Sequence, residues 1–246
     1  MNLAGKTALV TGGGRDIGRA CVMRLAAAGA NVAINYFASS EGADSAVAEI
    51  GADKALAMKG DLTKEAEVEA LVAATVEKFG KIDIVVHVTG GLVKRVPMAE
   101  MSLEHFHTVM DLNLTSNFMV VKAALPHIPK GGAIVNIASQ AGRDGGGPGA
   151  GIYATSKGAV MTMTRAMAKE FSPDIRVNSI CPGMIDTDFH NIFTKDEVRK
   201  NAANATPLKR EGRPEEVADL VAYLASDGSS FITGTNIDCN GGLLFS

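Results

Sequence analysis

The chain has 246 residues, 46% of them hydrophobic and 21% charged, which is enough apolar material for one sizeable core. Its formal net charge is -3, and its basic residues are scattered in short pairs such as Lys94 with Arg95 and Lys209 with Arg210. That distribution leaves no basic face for nucleic acid. The longest apolar stretches, such as IDIVVHVTGGLV, are cut by Asp83 and by glycines well short of a membrane span, and the start MNLAGKTALVTGG does not resemble a signal peptide. A cytoplasmic protein with neither membrane nor nucleic-acid partners is expected. Cys21, Cys181 and Cys239 are widely spaced and odd in number, which argues for buried free thiols and against a disulfide framework or a metal site.

No Pro- or Ser-rich linker divides the sequence, so residues 1–246 read as one domain. Apolar runs suited to buried strands fall at residues 8–10, 32–34, 55–57, 82–88, 133–137, 176–180 and 236–238. After the first comes TGGGRDIGRA, a glycine-rich turn feeding a helix in which Ile17, Cys21, Leu25 and Ala28 share a face and Gly29 supplies the stop. Val68, Leu71, Val72, Val76 and Phe79 mark a second helix, and Phe106 through Leu125 a longer third, halted at Pro126. This alternation predicts an α/β fold: a single-domain, Rossmann-like, doubly wound parallel sheet with helices on both faces. Ligands of such sheets bind beyond the carboxyl ends of the strands.

In the first turn, Gly12 permits the tight bend and Gly18 close packing of helix on strand, while free amides at the helix start favour a pyrophosphate. The second strand ends NVAINYF, which puts Tyr36 rather than an acid where a ribose 2'-hydroxyl would be held. Without that acid a 2'-phosphate is not repelled, and Arg15 in the turn is placed to pair with it. Asp61, in GDLT, is placed to be an N-cap of the next helix.

Residues 139–157, SQAGRDGGGPGAGIYATSK, hold six glycines. The run lacks the Gly-Lys-Ser/Thr ending of a nucleotide-binding P-loop, so the chemistry is sought at its ends. Tyr153 and Lys157 are four residues apart and share one face of a helix. A tyrosine of ordinary pKa near ~10 becomes an acid-base group only when its anion is stabilised, and an adjacent ammonium does that. Ser139 follows the strand GAIVNIAS and emerges at the carboxyl edge of the sheet.

Taken together, TGGGRDIG, Ser139, Tyr153 and Lys157 resemble the short-chain dehydrogenase/reductase family over nearly the whole chain. The resemblance implies that Ser139 polarises a carbonyl, Tyr153 passes the proton, and Lys157 lowers the tyrosine pKa and holds the nicotinamide ribose. Asn113 matches the asparagine that kinks its helix and positions a water. Gly12, Arg15, Asp16, Ile17, Gly18, Tyr36, Asp61, Leu62 and Gly90 are implied to bind the cofactor, as are Pro182, Gly183, Ile185 and Thr187 in the segment CPGMIDT. NADP(H) is favoured and NAD(H) possible.

Two departures stand out: Asp16 replaces the middle glycine of the turn, and HVTG, with His87, replaces Asn-Asn-Ala-Gly after the fourth strand. Residues from about 186 to 210 match the family's substrate lid, and a homotetramer is implied. The expected activity is reversible reduction of a small-molecule carbonyl. GGGPGAGIY and TDFHNIFT are similar to reductases of alginate-derived keto-uronates (4-deoxy-5-oxo-hexuronate); the alternatives are a 3-oxoacyl-carrier-protein reductase and a catalytically silent dinucleotide sensor. Gly91, Gln140, Arg143 and His190 are the substrate-side candidates. Arg143 is the expected carboxylate anchor because it lies nearest Ser139 along the chain, with Lys94, Arg95 and His190 as rivals.

Overall fold

Strand-forming apolar runs alternate with helices along the whole of the computed structural model, which describes residues 1–245. In chain order the elements are β1 (Thr7–Thr11), α1 (Asp16–Ala27), β2 (Asn31–Tyr36), α2 (Ser40–Ile50), β3 (Ala55–Lys59), α3 (Glu65–Phe79), β4 (Ile84–His87), α4 (Leu103–Met110) and α5 (Ser116–Ala124). They continue with β5 (Gly132–Ile137), α6 (Ala141–Asp144), α7 (Gly151–Phe171), β6 (Ile175–Pro182), α8 (Asp188–Phe193), α9 (Asp196–Ala205), α10 (Pro214–Ala225) and β7 (Asn236–Cys239). The strands form one sheet in the order β3-β2-β1-β4-β5-β6-β7, and every pairing is parallel. The single Rossmann-like domain expected from the sequence is the fold observed.

Period-2 side-chain alternation sorts each central strand between two cores. Ala8, Val10, Ile84, Val86, Val135 and Ile137 pack with Cys21, Val22 and Leu25 of α1 and Val217 and Val221 of α10. Leu9, Val85 and Ile134 face the other way, onto Val68 and Leu71 of α3, Val120 and Val121 of α5, and Met167 of α7. Cys21 and Cys181 are buried free thiols and Cys239 is half-buried. Among the described residues, no helix is long and apolar enough to cross a membrane.

Two elements differ from expectation. The fourth strand, Ile84–His87, is shorter than residues 82–88; just before it the Asp83 carboxylate accepts from the Thr7 amide at 2.8 Å. The single helix expected from Phe106 to Leu125 is interrupted by a π turn at Asp111–Thr115, and Pro126 sits in a closing 3-10 turn. An extra residue in one turn leaves the apolar spacing almost unchanged, which is why periodicity alone does not show it.

Candidate active site

The chain leaves β1 for β2 on one side and later crosses to β4 on the other, so a crevice opens where the strand order reverses. A cavity of about 1050 Å³ fills it, large enough for a dinucleotide with a small substrate. Gly12, Arg15, Asp16, Ile17, Gly18, Tyr36, Asp61, Leu62 and Gly90 line one end, and Ser139, Gln140, Tyr153, Lys157, Pro182, Gly183, Ile185, Thr187 and His190 the other.

The glycine turn is built for close approach. A Cβ on Gly18 would overlap the Gly12 carbonyl oxygen, so α1 seats on the turn with nothing between. Asn35, which sequence reasoning missed, braces the turn from β2: its Oδ1 accepts from the Gly12 amide at 3.3 Å and its Nδ2 donates to the Gly60 carbonyl at 3.1 Å. Only its position at a buried strand end beside the turn could have flagged it. No side chain caps the first amides of α1, and the cavity wall includes Asp16, Ile17 and Gly18. Uncapped amides at the start of a long helix suit a diphosphate, so these residues fit a dinucleotide cofactor.

Asp61 does not cap α3, whose N-cap is Lys64. Its Oδ1 instead accepts from the Thr63 amide at 3.0 Å and the Thr63 hydroxyl at 2.7 Å. Asp16 does not cap α1 either; its Oδ1 accepts from the backbone amide of Asp188, at 3.1 Å.

The HVTG turn is braced from β1, where Thr11 Oγ1 accepts from the Val88 and Thr89 amides at 3.0 and 3.1 Å. His87 is bonded, not idle: its Nε2 lies 3.3 Å from Ser116 Oγ, which donates to the Leu112 carbonyl in the π turn. Burial, with the nearby Lys157 charge, pushes the His87 pKa down to about 3, so the ring is neutral at physiological pH.

Asn113 is fully buried in the π turn. Its Nδ2 donates to the carbonyls of Val109 and Gly91, both at 2.8 Å, and its Oδ1 accepts from the Gly91 amide at 3.0 Å. Gly91, expected on the substrate side, is therefore clasped from both sides by Asn113, next to Gly90 and Leu92 on the cavity wall. A Cβ on Gly90 would stand 2.5 Å from Asn113 Oδ1 and 2.9 Å from Lys157 Nζ. Glycine is required there for the loop, the asparagine and the lysine to converge.

Ser139 leaves β5, and its Oγ accepts from the Ala141 amide at 3.1 Å. Tyr153 and Lys157 project from the first turns of α7, with the ammonium 5.9 Å from the tyrosine ring centroid. Lys157 is buried and donates to the Ile137 carbonyl at 2.8 Å; burial pulls its pKa down to about 8. Burial raises the Tyr153 phenol above its ordinary value, while the Ser139 hydroxyl beside it pulls the other way. The tyrosine thus holds its proton at neutral pH with a hydroxyl and an ammonium close by, which is the state an acid needs before it donates.

Arg143 is not a free anchor, and that expectation is corrected. The short helix α6 turns it away from the cavity, where its Nε donates to Asp238 Oδ1 at 2.8 Å and its Nη2 to the Asn236 carbonyl at 2.5 Å. Arg95 is on the cavity wall, with Nε donating to the Phe193 carbonyl at 3.0 Å and Nη1 to the Pro148 carbonyl at 2.9 Å. Lys94 does not line the cavity, whereas His190 does. Burial and the Arg199 charge push the His190 pKa down to about 4, so it offers a neutral ring whose Nδ1 is 2.9 Å from Thr194 Oγ1.

Known proteins share this fold. A family model described as enoyl-(acyl carrier protein) reductase matches residues 12–244. The chain is 38% identical to a 3-oxoacyl-[acyl-carrier-protein] reductase of Synechocystis sp., over 98% of each chain. A short-chain dehydrogenase/reductase structure from Brucella melitensis, titled glucose/ribitol dehydrogenase, superposes with a TM-score of 0.93 at 34% identity over all of both chains. A blue fluorescent protein from a metagenomic library, solved in complex with NADPH, gives 0.93 at 33% identity, also over the full length of both. The chain belongs to the short-chain dehydrogenase/reductase family and is an NAD(P)-dependent oxidoreductase of the kind that acts on CH–OH or C=O groups.

Proposed function

We propose that this protein is an NADP(H)-preferring carbonyl reductase, with Ser139, Tyr153, Lys157 and Asn113 as its working residues and a sugar-derived oxo-acid as its substrate. The observation that carries the reading is the meeting of a protonated, half-buried Tyr153 with the Lys157 ammonium and the Ser139 hydroxyl at one end of the cavity. A nicotinamide cofactor, when bound, supplies the hydride to the carbonyl carbon. Ser139 donates a hydrogen bond to the carbonyl oxygen, and Tyr153 transfers its phenolic proton to that oxygen as negative charge develops there. The resulting tyrosinate is stabilised by the Lys157 ammonium. Asn113 holds the Gly91 loop, and so the floor under Lys157, in place.

The preference for NADP(H) rests on Arg15 and on the absence of an acid at the end of β2, where Tyr36 and Phe37 line the cavity. The NADPH bound by the metagenomic relative supports it. The oxo-acid reading is supported by Arg95, which leaves Nη2 free of any intramolecular hydrogen bond among the described residues. Residues 186–210 act as the substrate lid, since Phe189, His190, Thr194 and Val198 from α8 and α9 wall the cavity. A cytoplasmic homotetramer completes the proposal, as Leu103, Phe106 and Phe118 expose apolar surface along α4 and α5. Its solution mass should be four times that of the 25.5 kDa chain.

The test is NADPH and NADH oxidation by the purified protein with matched acidic and neutral ketones. NADPH should give the higher kcat/KM, and Arg15→Ala should narrow the gap roughly tenfold to a hundredfold, the equivalent of one charge-assisted hydrogen bond. Oxidation of neither cofactor with any ketone would favour the silent-sensor alternative. Activity confined to 3-oxoacyl thioesters would favour the acyl-carrier-protein reductase.

A further inference from the structure

Asp16 has a backbone φ of 48°, in the left-handed region where glycine is at ease and a Cβ is not. Local strain of this kind persists only where the surroundings hold it. What holds Asp16 is distant in sequence: its Oδ1 accepts from the amide of Asp188, 172 residues away, at 3.1 Å. That amide opens α8. The N-cap of α8, Thr187, supplies no side-chain cap; its hydroxyl donates to the Ile185 carbonyl at 3.1 Å. Asp16 therefore takes the capping place from the opposite end of the chain.

A second bridge runs alongside the first. Arg15 lies 3.8 Å from Asp16 through Nε and 3.8 Å from Asp188 through Nη1. Burial raises the Asp16 carboxyl above its ordinary range, the Asp188 and Asp186 charges add to that, and Arg15 offsets only part of it. On α8 itself, Phe189 and His190 line the cavity, and the Phe189 ring sits 5.7 Å from that of Tyr153. The glycine turn, the start of α8 and the cover over Tyr153 are thus joined in one short chain of contacts.

We propose that Asp16 is a positioning residue: its carboxylate latches α8 to the glycine turn and so holds Phe189 and His190 over the carbonyl end of the cavity. Its catalytic consequence rests on the carbonyl-reductase reading above, but the latch itself belongs to the free protein and is tested there. Two variants separate hydrogen bonding from backbone conformation. Asp16→Gly suits the positive φ and deletes the acceptor; Asp16→Asn tolerates the same φ and keeps an oxygen acceptor.

Hydrogen exchange read by mass spectrometry on the ligand-free protein should show peptides spanning 186–194 exchanging about tenfold faster in Asp16→Gly, as expected for loss of one hydrogen bond to a charged group. Asp16→Asn should stay close to wild type. In turnover, Asp16→Gly should raise KM for the carbonyl substrate more than it lowers kcat. The proposal is overturned by wild-type exchange in Asp16→Gly, by equal acceleration in both variants, or by acceleration spread across sheet peptides instead of confined to α8. If no carbonyl substrate is turned over at all, the reductase reading fails while the exchange data still decide the latch.

Discussion

Arg143 and Asp238 form an ion pair at 2.8 Å that fastens α6 to the carboxyl end of β7. The side chains are 17% and 15% exposed, and Arg143 also donates to the Asn236 carbonyl. Losing the guanidinium leaves a largely buried carboxylate without its partner, which costs stability instead of substrate recognition. Arg143→Ala should therefore lower unfolding stability by about 1.5 to 3 kcal/mol and reduce kcat/KM equally for acidic and neutral carbonyls. A loss specific to acidic substrates would return Arg143 to the anchor role.

Tyr153→Phe removes only the phenolic hydroxyl. NADPH binding, followed by fluorescence titration, should survive, while kcat falls by about 10² to 10⁴. The wild-type pH profile follows from the neighbouring lysine. Lys157 carries its charge below about 8 and loses it above, whereas Tyr153, with its pKa raised, stays protonated through that range. For reduction, kcat/KM should be level below pH 8 and decline above it as the tyrosinate loses its counter-charge. A profile that rises through pH 8, or a Tyr153→Phe enzyme keeping more than about a tenth of wild-type kcat, removes this pair from proton transfer.

All seven strands lie at the expected places, and the central ones, buried on both faces, leave the clearest local mark as short apolar runs. Ser139, Tyr153 and Lys157 were legible for a similar reason: each sits at a fixed offset from a strand end or a helix start. The cofactor turn was equally local. What escaped was long-range. The bond from Asp16 spans 172 residues and that from Arg143 spans 95, and no pattern within a single element encodes either. Choosing Arg143 by its proximity to Ser139 along the chain failed because the single turn of α6 reverses its direction. The helices α2 and α10 were not anticipated either; in SEGADSAVAEI the buried face is made of alanines, which give little hydrophobic contrast.

His87 gives the fold an acid sensitivity of its own. Its folded pKa is about 3 against 6.5 for an unperturbed ring, so between those values the unfolded chain binds the proton and the folded one does not. Stability contributed at this site is complete above pH 6.5 and is lost as pH falls towards 3, at about 1.4 kcal/mol per pH unit. His87→Asn substitutes a side chain that does not titrate and can still bond Ser116. In urea unfolding at pH 7, 6 and 5, wild type should lose more stability than the variant, by about half that amount from pH 7 to 6 and by nearly all of it from pH 6 to 5. Parallel losses in the two proteins would show that His87 titrates normally in the fold.

Arg95 carries the argument about substrate charge. It lies on the cavity wall between the glycine run and α8, with Nε and Nη1 committed to the Phe193 and Pro148 carbonyls. Those two bonds fix the plane of the guanidinium while leaving Nη2 to meet a ligand. A carboxylate arriving there gains a charge-assisted bond from an already ordered donor, so little side-chain entropy is lost on binding. His190, with its pKa down at about 4, can contribute a neutral hydrogen bond but no charge at pH 7. Arg95→Gln keeps polar atoms near both carbonyl partners and deletes the charge. Its kcat/KM for an acidic ketone should fall by roughly tenfold to a hundredfold, the worth of about 1.5 to 3 kcal/mol, with that for a neutral ketone of similar size changing by less than about threefold. Equal losses on both would mean that Arg95 serves only to tie the glycine run to α8, and the preference for an acidic substrate would have no cation behind it.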